Sequence, residues 1–472
     1  MNKIDFKNMD KKKKTLFIIL IVVFLIVITL GIAIPTAIIK SNNYNLANEY
    51  YSNAQYGDAM VLFKKLVNYK DSKKMYVRAY SMHTGDYKEM VIQDEITEFV
   101  IPDGTTDIID NAFSGCKTLT SVEIPNSVEK VGLYAFENCT NLEKVNYLGD
   151  ENSWLQFEFD IHSSNPTSNG ADLYIDGEIL TFIKINDLSK IGDYAFYGAK
   201  SLKSVEISEN VKKIGLYAFT GCANLEKVNF LGDENAWSEI EFASYYSNPT
   251  TYAKDLYIKG ELLTEANLTT AKRISAHAFE RCQSLTNVTI GDEVLSIGVS
   301  AFDGCKGLEN IKIGESVSSI GESSFYDCVS LKDVIIPNSV TSIGFKAFSN
   351  CTSLKRISLP FIGEKSDGSG KVFFGYIFGQ NNPAYGHDSV PTSLETVIIT
   401  GSSTIYENAF YECKKIKKVY LTSMVTSIED SVFYKCNSLT IYCEVEEKPS
   451  GWSDSWNSGN NLVCWGYSLE EI

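Results

Sequence analysis

Nine of the eleven cysteines stand three residues after a phenylalanine: Cys116, Cys139, Cys222, Cys282, Cys305, Cys328, Cys351, Cys413 and Cys436. Regularly spaced thiols could ligate a metal, pair as disulfides or supply a nucleophile. Zinc needs Cys-x-x-Cys pairs, and none occurs. Stacked side chains that point in parallel fit the geometry of a disulfide badly. The fixed phase therefore predicts a column of small buried side chains. Cys443 and Cys464 lie off the column, where an oxidising location would permit a bond between them.

Two acidic pairs beside tryptophan raise a second chemistry. Asp150-Glu151 precedes Trp154, and Asp233-Glu234 precedes Trp237. Glycoside hydrolysis uses two opposed carboxyls, whereas adjacent acids diverge on most backbones. A sugar platform made by Trp154 or Trp237 is the binding alternative, with packing of the rings into the core as the competing expectation. His83, His162, His277 and His387 are scattered, and no Gly-x-Ser-x-Gly elbow occurs. Gly363 to Lys371 lacks the Lys-Ser/Thr ending of a phosphate loop. No catalytic residue, cofactor or metal is expected.

The elements that must position these residues recur. Phe113, Phe136, Phe196, Phe219, Phe279, Phe302, Phe325, Phe348, Phe410 and Phe433 mark successive units, mostly 23 residues apart. Each unit reads Ile-Gly-x-x-Ala-Phe-x-x-Cys-x-x-Leu-x-x-Val-x-Ile, as in Ile343 to Leu359. The last two apolar positions, spaced by two, predict a short strand with alternate side chains inward. The Ile-Gly pair predicts a tight bend on the return limb. No unit can bury its apolar face alone, so the units must stack as a leucine-rich-repeat solenoid.

A longer period of 83 residues overlies the short one. Tyr147-Leu-Gly-Asp-Glu-Asn-Ser-Trp154 returns as Phe230-Leu-Gly-Asp-Glu-Asn-Ala-Trp237, and Ser164-Asn-Pro-Thr167 as Ser247-Asn-Pro-Thr250. Each is read as a longer coil with a surface excursion. The unit motif, with these inserts and the stretch Leu359 to Leu394, is similar to the BspA-like leucine-rich-repeat surface proteins. That resemblance covers roughly residues 91–472. It implies cell-surface binding and adhesion, and no particular ligand.

Before the array, Leu16 to Ile34 carries no charge, follows Lys11 to Lys14, and is long enough to span a bilayer as a helix. The lysines predict a cytoplasmic N-terminus, and the length favours an uncleaved anchor over a signal peptide. Residues 44–90 carry two apolar helical stripes that resemble one tetratricopeptide-type hairpin, separated at Gly57-Asp58. One hairpin is too little for a peptide groove, so a spacer covering the open end of the solenoid is expected. The formal charge of −16 argues against general nucleic-acid binding.

The expected architecture is thus an α/β solenoid: a leucine-rich-repeat array with an N-terminal transmembrane helix and a short helical module. The expected divisions are a basic cytoplasmic tail (1–14), an anchor (15–39), the helical spacer (40–90), the array with inserts (91–441) and a C-terminal cap (442–472). The expected function is non-enzymatic recognition of an extracellular protein or glycan through the strand face. Candidate residues there are Lys144, Asn146, Lys227, Asn229, Arg356, Lys417, Lys418 and Tyr420, with Trp154 and Trp237 from the inserts. The face is expected to turn basic near Lys414 and Lys415. An envelope scaffold acting through the helices is the alternative, and a glycan hydrolase a third class.

Overall fold

The computed structural model describes residues 36–468, apart from 67, 158, 383–388, 402–403 and 437. The chain divides into two compact units at Ile96/Thr97. The predicted anchor falls, but for the end of its 15–39 range, outside the described residues. Among those that are described, no helix is long and apolar enough to cross a membrane.

The first unit contains helices Thr36–Ser52, Tyr56–Lys65, Ser72–Thr84 and Lys88–Gln93. Ala47, Ala59 and Ala79 let the first three approach closely, and Phe63 fills the space between them. The first break falls at Asn53 to Gln55, with Ala54 in the left-handed region. Gly57 and Asp58, read as the separator, lie inside the second helix. Gly85, also left-handed at φ 79°, closes the third helix by donating its amide to Ser81.

The second unit is the array. Its outward strands form three successive sheets of five, five and nine strands. Outside the inserts and the stretch after Leu359, neighbours pair in parallel at an offset of 22 or 23 residues, for example Val122 with Val145, Val205 with Val228 and Thr396 with Lys418. Two-residue strands on the return limb, such as Ser296–Ile297, Ser319–Ile320 and Ser342–Ile343, form smaller ladders. Between these walls lie the marker rings. Phe279, Phe302, Phe325 and Phe348 stack with centroids 5.2–5.3 Å apart and planes within 8° of parallel. That spacing follows the pitch of a parallel sheet.

The repeated glycine has a different cause from the one its position suggests. Gly298, Gly321 and Gly344 do not need a left-handed backbone. A Cβ there would lie 2.2–2.5 Å from the backbone of the preceding coil. The sharp bends fall instead two residues either side of each marker, as at Ser300 and Gly304 around Phe302 and at Lys346 and Asn350 around Phe348. Many of these positions are tyrosine, serine, lysine, arginine or glutamate, residues that rarely adopt this region, so no single residue type marks the bends.

The stretch after Leu359 is also a coil. The short helix Phe374–Phe378 receives the Phe348 amide on the Ile377 carbonyl and donates the Phe374 amide to Ala409. The Phe374 ring packs against Phe410, with centroids 5.0 Å apart. Beyond residue 441, where a cap was expected to begin, the sheet continues. Thr440–Cys443 and Leu462–Trp465 are its last two strands. Trp452 and Trp456 pack beneath them, Trp456 against Phe433. Register pairs Cys443 with Trp465 and Tyr442 with Cys464, so the two off-column cysteines point to opposite faces, and both are free.

Candidate recognition surface

The residues that could do chemistry are found at the joints between coils. All nine column cysteines are buried. Cys139, Cys305, Cys328 and Cys351 each donate their thiol, at 3.0–3.2 Å, to the carbonyl of the marker phenylalanine one coil back. Burial pushes the Cys139 and Cys351 thiols up to about 12, leaving them unreactive at neutral pH. Ala199 replaces cysteine after the first insert. There the Phe136 carbonyl is approached by Asn169 Nδ2 instead, at 3.5 Å.

The acidic pairs and tryptophans are joints as well. Asp150 and Asp233 cap the short helices Glu151–Gln156 and Glu234–Ser238, accepting the amides of Ser153 and Ala236 at 2.8 Å. Among the described residues, no group of three or more His, Cys, Asp or Glu could hold a metal ion. Trp154 and Trp237 must be withdrawn from the surface candidates, because both rings are completely buried.

In an uninterrupted junction the amide of one marker donates to the carbonyl preceding the next, as Phe279 does to Ala301. Across the inserts the indole nitrogen takes over: Trp154 Nε1 donates to Ala195 at 2.9 Å and Trp237 Nε1 to Ala278 at 2.7 Å. The Asn-Pro-Thr motif supplies two further side-chain bonds. Asn165 Nδ2 reaches the Tyr194 carbonyl and Thr167 Oγ1 the Tyr197 carbonyl; Asn248 and Thr250 do the same for His277 and Glu280.

Each insert also ends one outward sheet with a hairpin. Asp172–Ile175 pairs antiparallel with Glu178–Ile179, and Leu256–Ile258 with Glu261–Leu262. Their two-residue loops, Asp176-Gly177 and Lys259-Gly260, are left-handed at both positions, the favoured turn for tight hairpins. Asn146 and Asn229 hold these loops. Each donates to an acid one coil back (Glu123, Glu206) and accepts the loop glycine amide at 2.9 and 2.7 Å. Asn146 is therefore buried and Asn229 half-buried, so both are hairpin anchors rather than free contacts.

Tyr420 is not free on the face either. It points outward, but Tyr442 stacks on it at 4.6 Å and Tyr467 folds over both, leaving it buried. Lys144, Lys227, Lys417 and Lys418 remain exposed, and Arg356 is half-exposed. Lys144 and Lys227 sit 4.6 Å above the rings of the hairpin residues Tyr174 and Tyr257. Several cations of the expected basic end are paired with acids. Lys332 pairs with Glu309, Arg356 with Asp333, Lys417 with Glu395 and Lys414 with Glu412. The outward row instead changes from charged and amide residues to Ile335, Ile398, Tyr420 and Tyr442 towards the C-terminal end.

A family model and several solved structures are similar to this chain. The family model described as BspA type leucine rich repeat region (6 copies) matches residues 90–165, 171–271, 272–367 and 390–448. A leucine-rich repeat protein from Bacteroides ovatus is 21% identical, covers 77% of this chain and 80% of its own, and has a TM-score of 0.38. The pneumococcal vaccine antigen PcpA is 16% identical over 79% of this chain and 80% of its own, with a TM-score of 0.41. A leucine rich cell surface protein from Faecalibacterium prausnitzii is 20% identical over 79% and 91%, with a TM-score of 0.34. No curated protein matches the sequence. With its model matched over well more than half of the residues, this chain belongs to the BspA-type leucine-rich-repeat family.

Proposed function

We propose that this protein is a non-enzymatic recognition protein of the cell surface. It is held by one N-terminal span with the N-terminus in the cytoplasm, and it binds an extracellular protein or glycan across the strand face of its array. The observation that carries the reading is the contrast between the two sides of the coil. The reactive-looking residues close joints inside, while a row of side chains at fixed register faces outward in every coil. Solenoids bind through such extended regular faces. The lysines before the uncharged stretch support the orientation, and the acidic balance argues against nucleic acid as the ligand.

Two measurements test it. Protease treatment of intact cells is expected to degrade the array, and full protection would overturn the topology. Full-length protein is then offered to a panel of matrix proteins and glycans. A ligand bound by the parent is expected to be lost at least in part on combining Lys144→Glu, Lys227→Glu and Lys418→Glu. Binding to nothing, or binding indifferent to these changes, would overturn the strand face as the site.

A further inference from the structure

The two inserts share their joints but not what they bury there. Tyr194, Tyr197 and Gly198 at the first joint are His277, Glu280 and Arg281 at the second, 83 residues on. The Glu280 side chain is completely buried. Its Oε2 lies 2.8 Å from His277 Nδ1, and its Oε1 has no hydrogen-bond partner among the described residues. The next coil brings Asp303 to the same phase, partly buried, and its Lys306 reaches Asp327 one coil further. Arg281 is drawn aside, its guanidinium 5.2 Å above the Tyr245 ring. The other titratable neighbours, Tyr245 of the insert and the Cys282 and Cys305 thiols, are kept neutral by burial.

We propose that the joint after the second insert is an acid-strengthened fastening: it holds the insert to the following coils while Glu280 and Asp303 are protonated, and their ionisation loosens it. The first joint carries Tyr197 where the second has Glu280, with the His162 ring against it and no carboxyl at that position. The physical cause is that two ionised carboxyls one coil apart in a dry junction are unfavourable, even with His277 bonded to Glu280 and Ser300 to Asp303. Burial accordingly pushes Glu280 up to about 7 and Asp303 up to about 6. Groups raised on folding stabilise fully below their ordinary range, about 4. That contribution is lost as pH rises through 6 and 7. The array would thus be firmest in mildly acidic surroundings.

Hydrogen exchange on the full-length chain between pH 5 and 8, corrected for intrinsic rates, reads the two joints side by side. The matched reporters are the Ser275 amide, bonded to Ser238, and the Gly192 amide, bonded to Leu155. Opening at Ser275 is expected to rise on the order of tenfold to a hundredfold across this range, with Gly192 unchanged. E280Q should remove most of the rise, and E280Q with D303N all of it. An equal response at both joints, or an undiminished rise in E280Q, would overturn the proposal. The comparison of joints within the unaltered protein decides the matter even if a variant fails to fold.

Discussion

Between Phe279 and Phe348 the carbonyls around each marker are met by backbone amides of the preceding coil, whereas at the two inserts the carbonyls around Phe196 and Phe279 are met by side chains. In the uninterrupted block, His277, Phe279 and Arg281 donate their amides to Val299, Ala301 and Asp303, and the pattern repeats one coil on from Ser300, Phe302 and Gly304. At the first insert, Asn165, Trp154 and Thr167 supply three bonds to the corresponding stretch around Phe196. A solenoid can therefore accept a long excursion without leaving buried carbonyls unpaired, provided the excursion carries its own donors. The tryptophans that resemble a sugar-binding platform are among those donors, and the aspartates before them cap the short helices that carry the rings.

The contrast can be broken experimentally. Trp237→Ala removes both a buried ring and a buried donor, and should destabilise the array by about 3–5 kcal/mol in denaturant unfolding. An unchanged midpoint would show that the ring is not part of the core. Gly321→Ala tests the backbone-tied block, where the new Cβ would meet Gly298 and Val299 backbone atoms at 2.5–2.6 Å. A cost of about 1–3 kcal/mol is expected from overpacking. Asn248→Ala should cost about 1–3 kcal/mol, because it strips donors from the His277 and Ala278 carbonyls and an acceptor from the Thr250 amide. Hydrogen exchange should place that loss at the second joint and spare the block after Phe302.

Smaller effects sharpen the picture. Cys328→Ala loses one weak bond to Phe302 and a little volume, for about 1 kcal/mol in the same unfolding assay. Lys417→Ala breaks a solvent-exposed pair with Glu395 and should change stability by about 1 kcal/mol or less. A larger loss there would mean that the outward ion pairs hold the sheet together, leaving the face less free to bind.

The stacking was legible in the sequence because one residue per unit, the marker phenylalanine, must meet its own copy in the next coil. The phases of Leu354, Ile357 and Leu359 follow from the same requirement, and all three are buried. The left-handed bends were hidden because positions such as Ser300, Ser323 and Lys346 carry no compositional mark. The role of Trp154 was hidden for another reason. Its partner, the Ala195 carbonyl, lies 41 residues away, and a backbone carbonyl leaves no trace in a sequence. The covering of Tyr420 depends on Tyr467, past the last recognisable repeat. Strand-face residues could be found by alternation alone, but which of them remain uncovered depends on hairpins and ion pairs between coils.

Solvent exchange of the five tryptophan indole N–H protons, read by nuclear magnetic resonance on full-length protein labelled at tryptophan, tests the assignment of the inserts most directly. Trp154 and Trp237, bonded to buried carbonyls, should exchange far more slowly than Trp465, which is exposed at the last described strand. Exchange of Trp154 and Trp237 as fast as that of Trp465 would put both rings at the surface and return the inserts to the role of ligand platforms.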